Sequence, residues 1–285
     1  LNTLKYTMKT HLLKLISELS GKINPPMWTV FVYAFFIAIK EGKTYDEAKA
    51  IGQAEVDKVT KQIGNDPYVQ DSVSDYSLIG NPLLPNFGKQ STKNAYLIAK
   101  LSCEAEKIFN ENNAVNRKHV NDFLAVVKNL NLTQITIAHR WDDSVITPPA
   151  HLLRIVLENS ADEALYEKVL LGLKEAAVAC WAIKYTVKQA RPNELIMLLT
   201  NERFVPEITT PTHPSCPSGH STFSSVVAEI CKDMKVVKDP ITGIVYSDFK
   251  AIQEEASMSR VYGGIHFLKD CELGTKLGTA IAQSL

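Results

Sequence analysis

The 285-residue chain has no surplus of either charge: 31 Lys and Arg stand against 31 Asp and Glu, for a formal net charge of zero. The electrostatic footprint of a nucleic-acid or anionic-membrane binder is therefore missing. No long apolar run is present either. Met27 to Ile39 comes nearest, but it contains Thr29 and at about thirteen residues is too short to span a bilayer. The five cysteines, Cys103, Cys180, Cys216, Cys231 and Cys271, are odd in number and lack paired metal-ligand spacing, so at least one thiol is free. The chain opens at Leu1 with neither methionine nor a basic-then-apolar leader, the expected mark of a processed start. Strand-like alternation is scarce, and repeats, low-complexity tracts and clear linkers are lacking.

What remains is helix after helix. Leu4 to Leu19, Pro26 to Glu41, Thr44 to Ile63, Ser91 to Asn110 and Arg117 to Val127 carry apolar residues at three- and four-residue intervals. Residues 64 to 89, rich in Asp, Ser, Asn and Pro, read as a long loop. Ala161 to Gln189 reads as a long helix ended by Pro192, followed by a proline-rich loop from Phe204 to Pro217. Ser218 to Cys231 and Ser247 to Met258 are the next helices, with a turn from Asp239 to Gly243 between them. The pattern predicts an all-α fold, a single helical domain over residues 1–285 built around a bundle.

The chemistry concentrates near the C-terminal end. Lys184 is followed by Arg191-Pro192, then Pro217-Ser218-Gly219-His220, then Ser259-Arg260 leading to His266 and Asp270. A tetrahedral oxyanion spreads its charge and needs fixed donors on several sides, which Lys184, Arg191 and Arg260 supply. Ser218 and Gly219 open an apolar helical run, so hydroxyl and backbone N–H would point at the anion from a helix N-terminus. His220 and His266 exceed what anion binding needs. Asp270, four residues after His266, would orient that ring. Each residue has an ordinary reading as a surface charge, a structural histidine or a helix cap; their joint order argues for a site within residues 181–270.

Other polar groups carry less. His139 and His151 read as structural, and His11 and His119 as members of polar helix surfaces. Asp142 and Asp143 invite a metal reading, yet no neighbours complete a ligand set. Asn131-Leu132-Thr133 is a glycosylation sequon.

These motifs resemble the superfamily of vanadium-dependent haloperoxidases and type 2 phosphatidic-acid phosphatases, the acid phosphatases. Cys180 to Tyr185, Thr210 to His220, Ser259 to Phe267 and Thr147 to His151 are most similar to bacterial haloperoxidase-type members; residues 1–134 match only as a helical pattern. Cys216 stands where a tyrosine is common. The resemblance implies the helical bundle of that superfamily and vanadate as cofactor, in a site phosphate can also occupy. It implies that Lys184, Arg191, Ser218, Gly219 and Arg260 surround the anion, with His220 on the apical side moving protons. His266 would bond vanadium, or attack phosphorus to give a phosphohistidine.

One arrangement serves both chemistries, because five-coordinate vanadate resembles the transition state of phosphoryl transfer. Trp181, one turn before Lys184, and His213, seven residues before His220, resemble halide-pocket residues and favour a haloperoxidase that turns hydrogen peroxide and bromide or iodide into hypohalous acid. Lys184 would then polarise the peroxide oxygen. The alternatives are a phosphomonoester phosphatase and a non-catalytic phosphate-binding protein. The implied partners are small molecules: peroxide, halide and an organic acceptor, or a phosphomonoester. A homo-oligomer is left open, and the resemblance favours an extracytoplasmic or secreted location.

Overall fold

The computed structural model describes residues 7–64, 82–110, 113–142 and 146–285. Most of the predicted 64–89 loop therefore lies outside the described residues, as does Asp143. The first helix, α1 (Met8–Leu19), starts at the cap Thr7, whose hydroxyl accepts from Thr10 N. The apolar run forms α2 (Pro25–Lys40), capped by Asn24 and buried on nearly every side between neighbouring helices. Thr29 fits there because its Oγ1 donates to Pro26 O at 2.7 Å. A Thr44–Glu47 capping box begins α3 (Tyr45–Ile63). Next come α4 (Ala95–Asn110) and α5 (Asn113–Val127). Among the described residues no helix is long and apolar enough to cross a membrane.

Two further helices precede the motifs. In α6 (Leu132–Arg140) the sequon asparagine, Asn131, is the N-cap and accepts from Gln134 N. Pro148 opens α7 (Pro148–Asn159) at a position where its missing N–H costs nothing. The long α8 (Glu163–Val187) is buried along most of its length and packs against α2, α4, α7 and the helix that follows the motif loop. It ends two residues short of the expected Gln189. Lys188 adopts a left-handed conformation (φ 53°) and donates its N–H to Lys184 O, closing the helix, while Pro192 starts a separate α9 (Pro192–Thr200).

After the proline-rich loop come α10 (Gly219–Ile230), the strands β1 (Lys235–Lys238) and β2 (Val245–Asp248), α11 (Phe249–Tyr262) and α12 (Leu268–Gln283). The antiparallel hairpin, with Val237 opposite Tyr246, was not expected. Its strands are four residues each, too short to show an alternation. The helix predicted from Ser247 starts two residues later because Asp248 ends β2 and caps α11, accepting from Ala251 N. That helix also runs on to Tyr262, so Ser259 and Arg260 belong to its last turn. A hydrophobic core extends from Met8 in α1 to Ala282 in α12. His119, expected on a polar surface, is buried, and His11 is half-buried with its ring 5.8 Å from Tyr45.

Close approach of two helices sets the site. A Cβ at Gly274 would lie 2.6 Å from Ser218 O, and one at Gly278 would lie 2.3 Å from Thr222 O. Only glycine lets α12 lie this near the start of α10, and Ser218 N donates to Asp270 O at 2.9 Å across the gap.

Candidate active site

Lys184 comes from the last turn of α8 and is fully buried. Its Nζ donates to Pro214 O at 2.7 Å and Ser215 O at 2.9 Å, which ties α8 to the proline-rich loop. Burial is the main cause that lowers its pKa to about 8, and Arg191 adds to it.

Arg191, the residue before α9, is also fully buried. Its guanidinium is a junction: Nε donates to His213 O at 3.0 Å, Nη1 to Ile265 O at 2.7 Å and His266 Nε2 at 3.0 Å, and Nη2 to His213 Nδ1 at 3.1 Å. A guanidinium has no acceptor, so His266 Nε2 presents it a lone pair, while His213 Nδ1 lies between the guanidinium and Pro214 O, 3.4 Å away. Burial brings Arg191 down to about 10.

His266 is buried in the turn between α11 and α12. Its Nδ1–H donates to Asp270 Oδ2 at 3.1 Å. The same carboxylate oxygen accepts from Phe267 N at 2.9 Å and from Ser215 Oγ at 2.5 Å. Burial first, then Arg191 and Lys184, push His266 well below the usual imidazole range. The ring is therefore neutral, with its Nδ1 proton directed to Asp270 and its Nε2 lone pair toward Arg191. Burial raises Asp270 to about 6 against the pull of those donors.

Ser218 is the N-cap of α10, and its Oγ accepts from Ser221 N at 3.4 Å. The hydroxyl thus caps its own helix. Gly219, the first residue of that helix, faces open space, because a Cβ there would meet only Phe223, at 3.8 Å. The remaining predicted groups are anchored from α6. Arg260, buried, donates through Nε to Ser259 Oγ at 2.9 Å and through Nη2 to Ala138 O at 2.9 Å, with Asp142 Oδ1 3.5 Å from Nη1. Burial lowers Arg260 to about 10. His220 is half-buried and donates through Nε2 to Trp141 O at 2.9 Å. Burial and then Arg260 hold it well below the usual range.

Direct bonds therefore join Lys184, Arg191, His213, His266, Asp270 and Ser218 through one loop, while Arg260 and His220 are held by the end of α6. Trp181 is buried, donates through Nε1 to Leu83 O at 3.2 Å, and lies with its ring 5.2 Å from that of His213. Cys216, where a tyrosine is common in the resembled family, is fully buried. His139 pairs with Glu207 on the surface and His151 with Asp239 in the interior. Sequence reading missed Ser215 and Trp141. Ser215 lies inside the quoted motif, five positions before His220, and that proximity was the available signal. Trp141 acts through its backbone, which leaves no trace in residue type.

Lys184, Arg191 and Arg260, all buried, with the neutral imidazole of His266 and the helix N-terminus at Gly219, are groups whose chemistry suits a tetrahedral oxyanion, vanadate included. The model of the PAP2 superfamily matches residues 168–285, which hold every predicted site residue. The superfamily read from the motifs is the one that matches. Solved structures similar to this chain include the first bacterial vanadium-dependent iodoperoxidase, at 20% identity and TM-score 0.51, covering 88% of this chain and 71% of that one. A bacterial vanadium-dependent chloroperoxidase is similar in its holo form, at 11% identity and TM-score 0.56 over 97% of this chain and 79% of that one. Its apo form gives 13% identity and TM-score 0.53 over 71% of this chain and 54% of that one, so this chain spans about half of it. At these identities the likeness is one of fold, and the expected helical architecture is the one found. No curated protein sequence matches the chain.

Proposed function

We propose that this chain is a vanadate-dependent haloperoxidase that uses hydrogen peroxide to oxidise bromide or iodide to hypohalous acid. The observation that carries the reading is His266, whose Nδ1 proton is directed to Asp270 Oδ2 while its Nε2 lone pair faces the buried Arg191 guanidinium at 3.0 Å. An oriented, neutral imidazole lone pair suits a bond to an electrophilic centre that would take the place of Arg191 Nη1, whereas the ionised oxygens of phosphate or vanadate need donors.

Lys184, Arg191 and Arg260 would hold the oxyanion charge and Gly219 N–H would cap it, with His266 Nε2 as the protein ligand. Bound vanadate would supply a redox-inactive Lewis acid that activates peroxide toward halide. His220, neutral and with its Nε2 proton committed to Trp141 O, would take up a peroxide proton at Nδ1. The Trp181–His213 ring contact beside Arg191 gives halide an aromatic, polarisable wall and favours the peroxidase.

A phosphatase is the second reading, favoured by the superfamily match. There His266 Nε2 would form a bond to phosphorus as the ester P–O bond breaks, His220 would first take a second proton from solvent at Nδ1 and pass it to the departing alcohol, and water, giving a proton back to that Nδ1, would then displace His266 and release phosphate. The test is bromide oxidation by vanadate-free protein with hydrogen peroxide, before and after orthovanadate, with aryl-phosphate hydrolysis in parallel. Bromination that appears only with vanadate supports the peroxidase; phosphate hydrolysis that vanadate blocks, without bromination, replaces it with the phosphatase.

A further inference from the structure

His220 is held by a residue outside every motif. Trp141 caps the end of α6, is buried, and is fixed on three sides. Its indole Nε1 donates to Glu255 Oε1 at 3.0 Å, an oxygen that also accepts from Tyr246 OH at 2.8 Å and Arg140 Nη1 at 2.7 Å. Its ring stacks on His151, centroids 4.8 Å apart and planes 23° apart. His151 is in turn tied through Nε2 to Asp239 Oδ2 at 2.9 Å, deep in the interior. Asp239 belongs to the turn of the β-hairpin and also accepts from Ile241 N and Thr242 Oγ1. Burial alone would raise its pKa, but the His151 bond and the turn donors hold it at about 2, so it is a carboxylate and His151 Nε2 is the donor.

The third attachment is the consequential one. Trp141 O accepts from His220 Nε2, and a carbonyl can only accept, so that nitrogen carries a proton. The other ring nitrogen, Nδ1, is then the bare one. A ring able to rotate or change tautomer would present the wrong nitrogen for part of the time.

We propose that Trp141 is the positioning residue of His220, held by the Asp239–His151 pair and Glu255 so that its carbonyl fixes the Nε2–H tautomer and leaves Nδ1 to exchange protons. The hairpin thereby gains a role, since its turn delivers the carboxylate that begins the chain Asp239, His151, Trp141, His220. The proposal rests on His220 as the proton carrier of the proposed function, and is the same for peroxidase and phosphatase.

The test is ¹⁵N NMR of histidine-labelled protein with saturating inorganic phosphate and no vanadate or peroxide, with His220→Gln assigning the signal. Wild type is expected to show a protonated Nε2 and a bare Nδ1. His151→Ala should mix the tautomers and slow turnover roughly 10- to 100-fold, the scale of a small misplacement of a reacting group, with phosphate affinity changed less than twofold. His151→Phe, which keeps the stacked ring without the Asp239 bond, should recover part of both. A wild-type signal protonated at Nδ1 would overturn the proposal, even if no variant folds. So would a folded His151→Ala protein with wild-type tautomer and rate. Absence of both bromination and hydrolysis in wild type would count against the proposed function and leave the tautomer result standing.

Discussion

His266 Nδ1 lies 3.1 Å from Asp270 Oδ2 across the first turn of α12. The two are four residues apart, yet what fixes them is not helical spacing, because His266 precedes the helix and Asp270 lies inside it. The carboxylate reaches back to Phe267 N and across to Ser215 Oγ. One oxygen thus sets the ring's tautomer and anchors the motif loop.

Asp270→Asn keeps the volume but removes the charge that holds the Nδ1 proton. Vanadate affinity should fall about 10- to 100-fold, the usual effect of losing a group that orients a metal-bound histidine, and titration of the folded variant would measure it. Wild-type turnover should also decline as pH falls through about 6, where the buried carboxylate takes up a proton, and that acid limb should be missing in the variant. For stability the sign is opposite. The folded pKa lies above the ordinary 3.8, so the folded form binds the extra proton and this group's contribution declines as pH rises from about 4 to about 6.

Lys184 gives a second pair of opposed pH trends. Burial lowers it from 10.5 to about 8, so above about pH 8 the unfolded chain binds a proton that the folded one lacks. This group's penalty on folding should therefore ease between about pH 8 and 10.5. Phosphate affinity should weaken over the same interval as the ammonium loses its charge. Melting curves with and without phosphate would show the stabilisation by ligand shrinking as pH rises. In Lys184→Met both trends should vanish; a persistent alkaline loss of affinity would assign it to another group.

The parts of this molecule that the sequence announces are those in which residue type and chemistry coincide. Lys184, Arg191, Arg260 and His266 stand in a fixed order whose residue types suit an oxyanion, and the fold buries all four. Their anchors are less visible because backbone carbonyls do the work: Pro214 and Ser215 for Lys184, Ile265 for Arg191, Ala138 for Arg260, Trp141 for His220. Any residue has a carbonyl, so no pattern marks these positions. The short α9 escaped notice because nine residues give little periodicity. Pro192 opens the next helix, and the sequence does not separate that position from one just past a helix end, because proline is common at both.

Gly278 tests whether helix approach shapes the site. An alanine Cβ would lie 2.3 Å from Thr222 O, a backbone atom that moves only if α10 moves. Overpacking of this kind costs about 1–3 kcal/mol, which for a chain of this size lowers Tm by roughly 2–4 °C per kcal/mol. Because α10 begins with Gly219 and His220, phosphate affinity should fall along with stability. Calorimetry and phosphate titration on Gly278→Ala would check both, and an unchanged Tm would mean the helices have room to separate.

His266→Ala separates an enzyme from a protein that only binds phosphate. The Nε2 lone pair is met by Arg191 Nη1 and offers nothing to an ionised phosphate oxygen, so the cations proposed to hold phosphate should keep their hold in the variant, within about threefold. Arg191 Nη1 loses one acceptor but retains Ile265 O at 2.7 Å, which should keep the guanidinium in place. Vanadate differs because its metal can accept the lone pair. Losing that bond should weaken vanadate by roughly 100-fold or more, a change of about 3 kcal/mol, and abolish turnover. Competition between the two anions on wild type and variant gives the comparison in one experiment. Equal loss of both ligands would show that His266 donates to the anion, reversing the tautomer argued from Arg191 and Asp270. No loss of either, with no turnover of any substrate in wild type, would leave phosphate binding as the function.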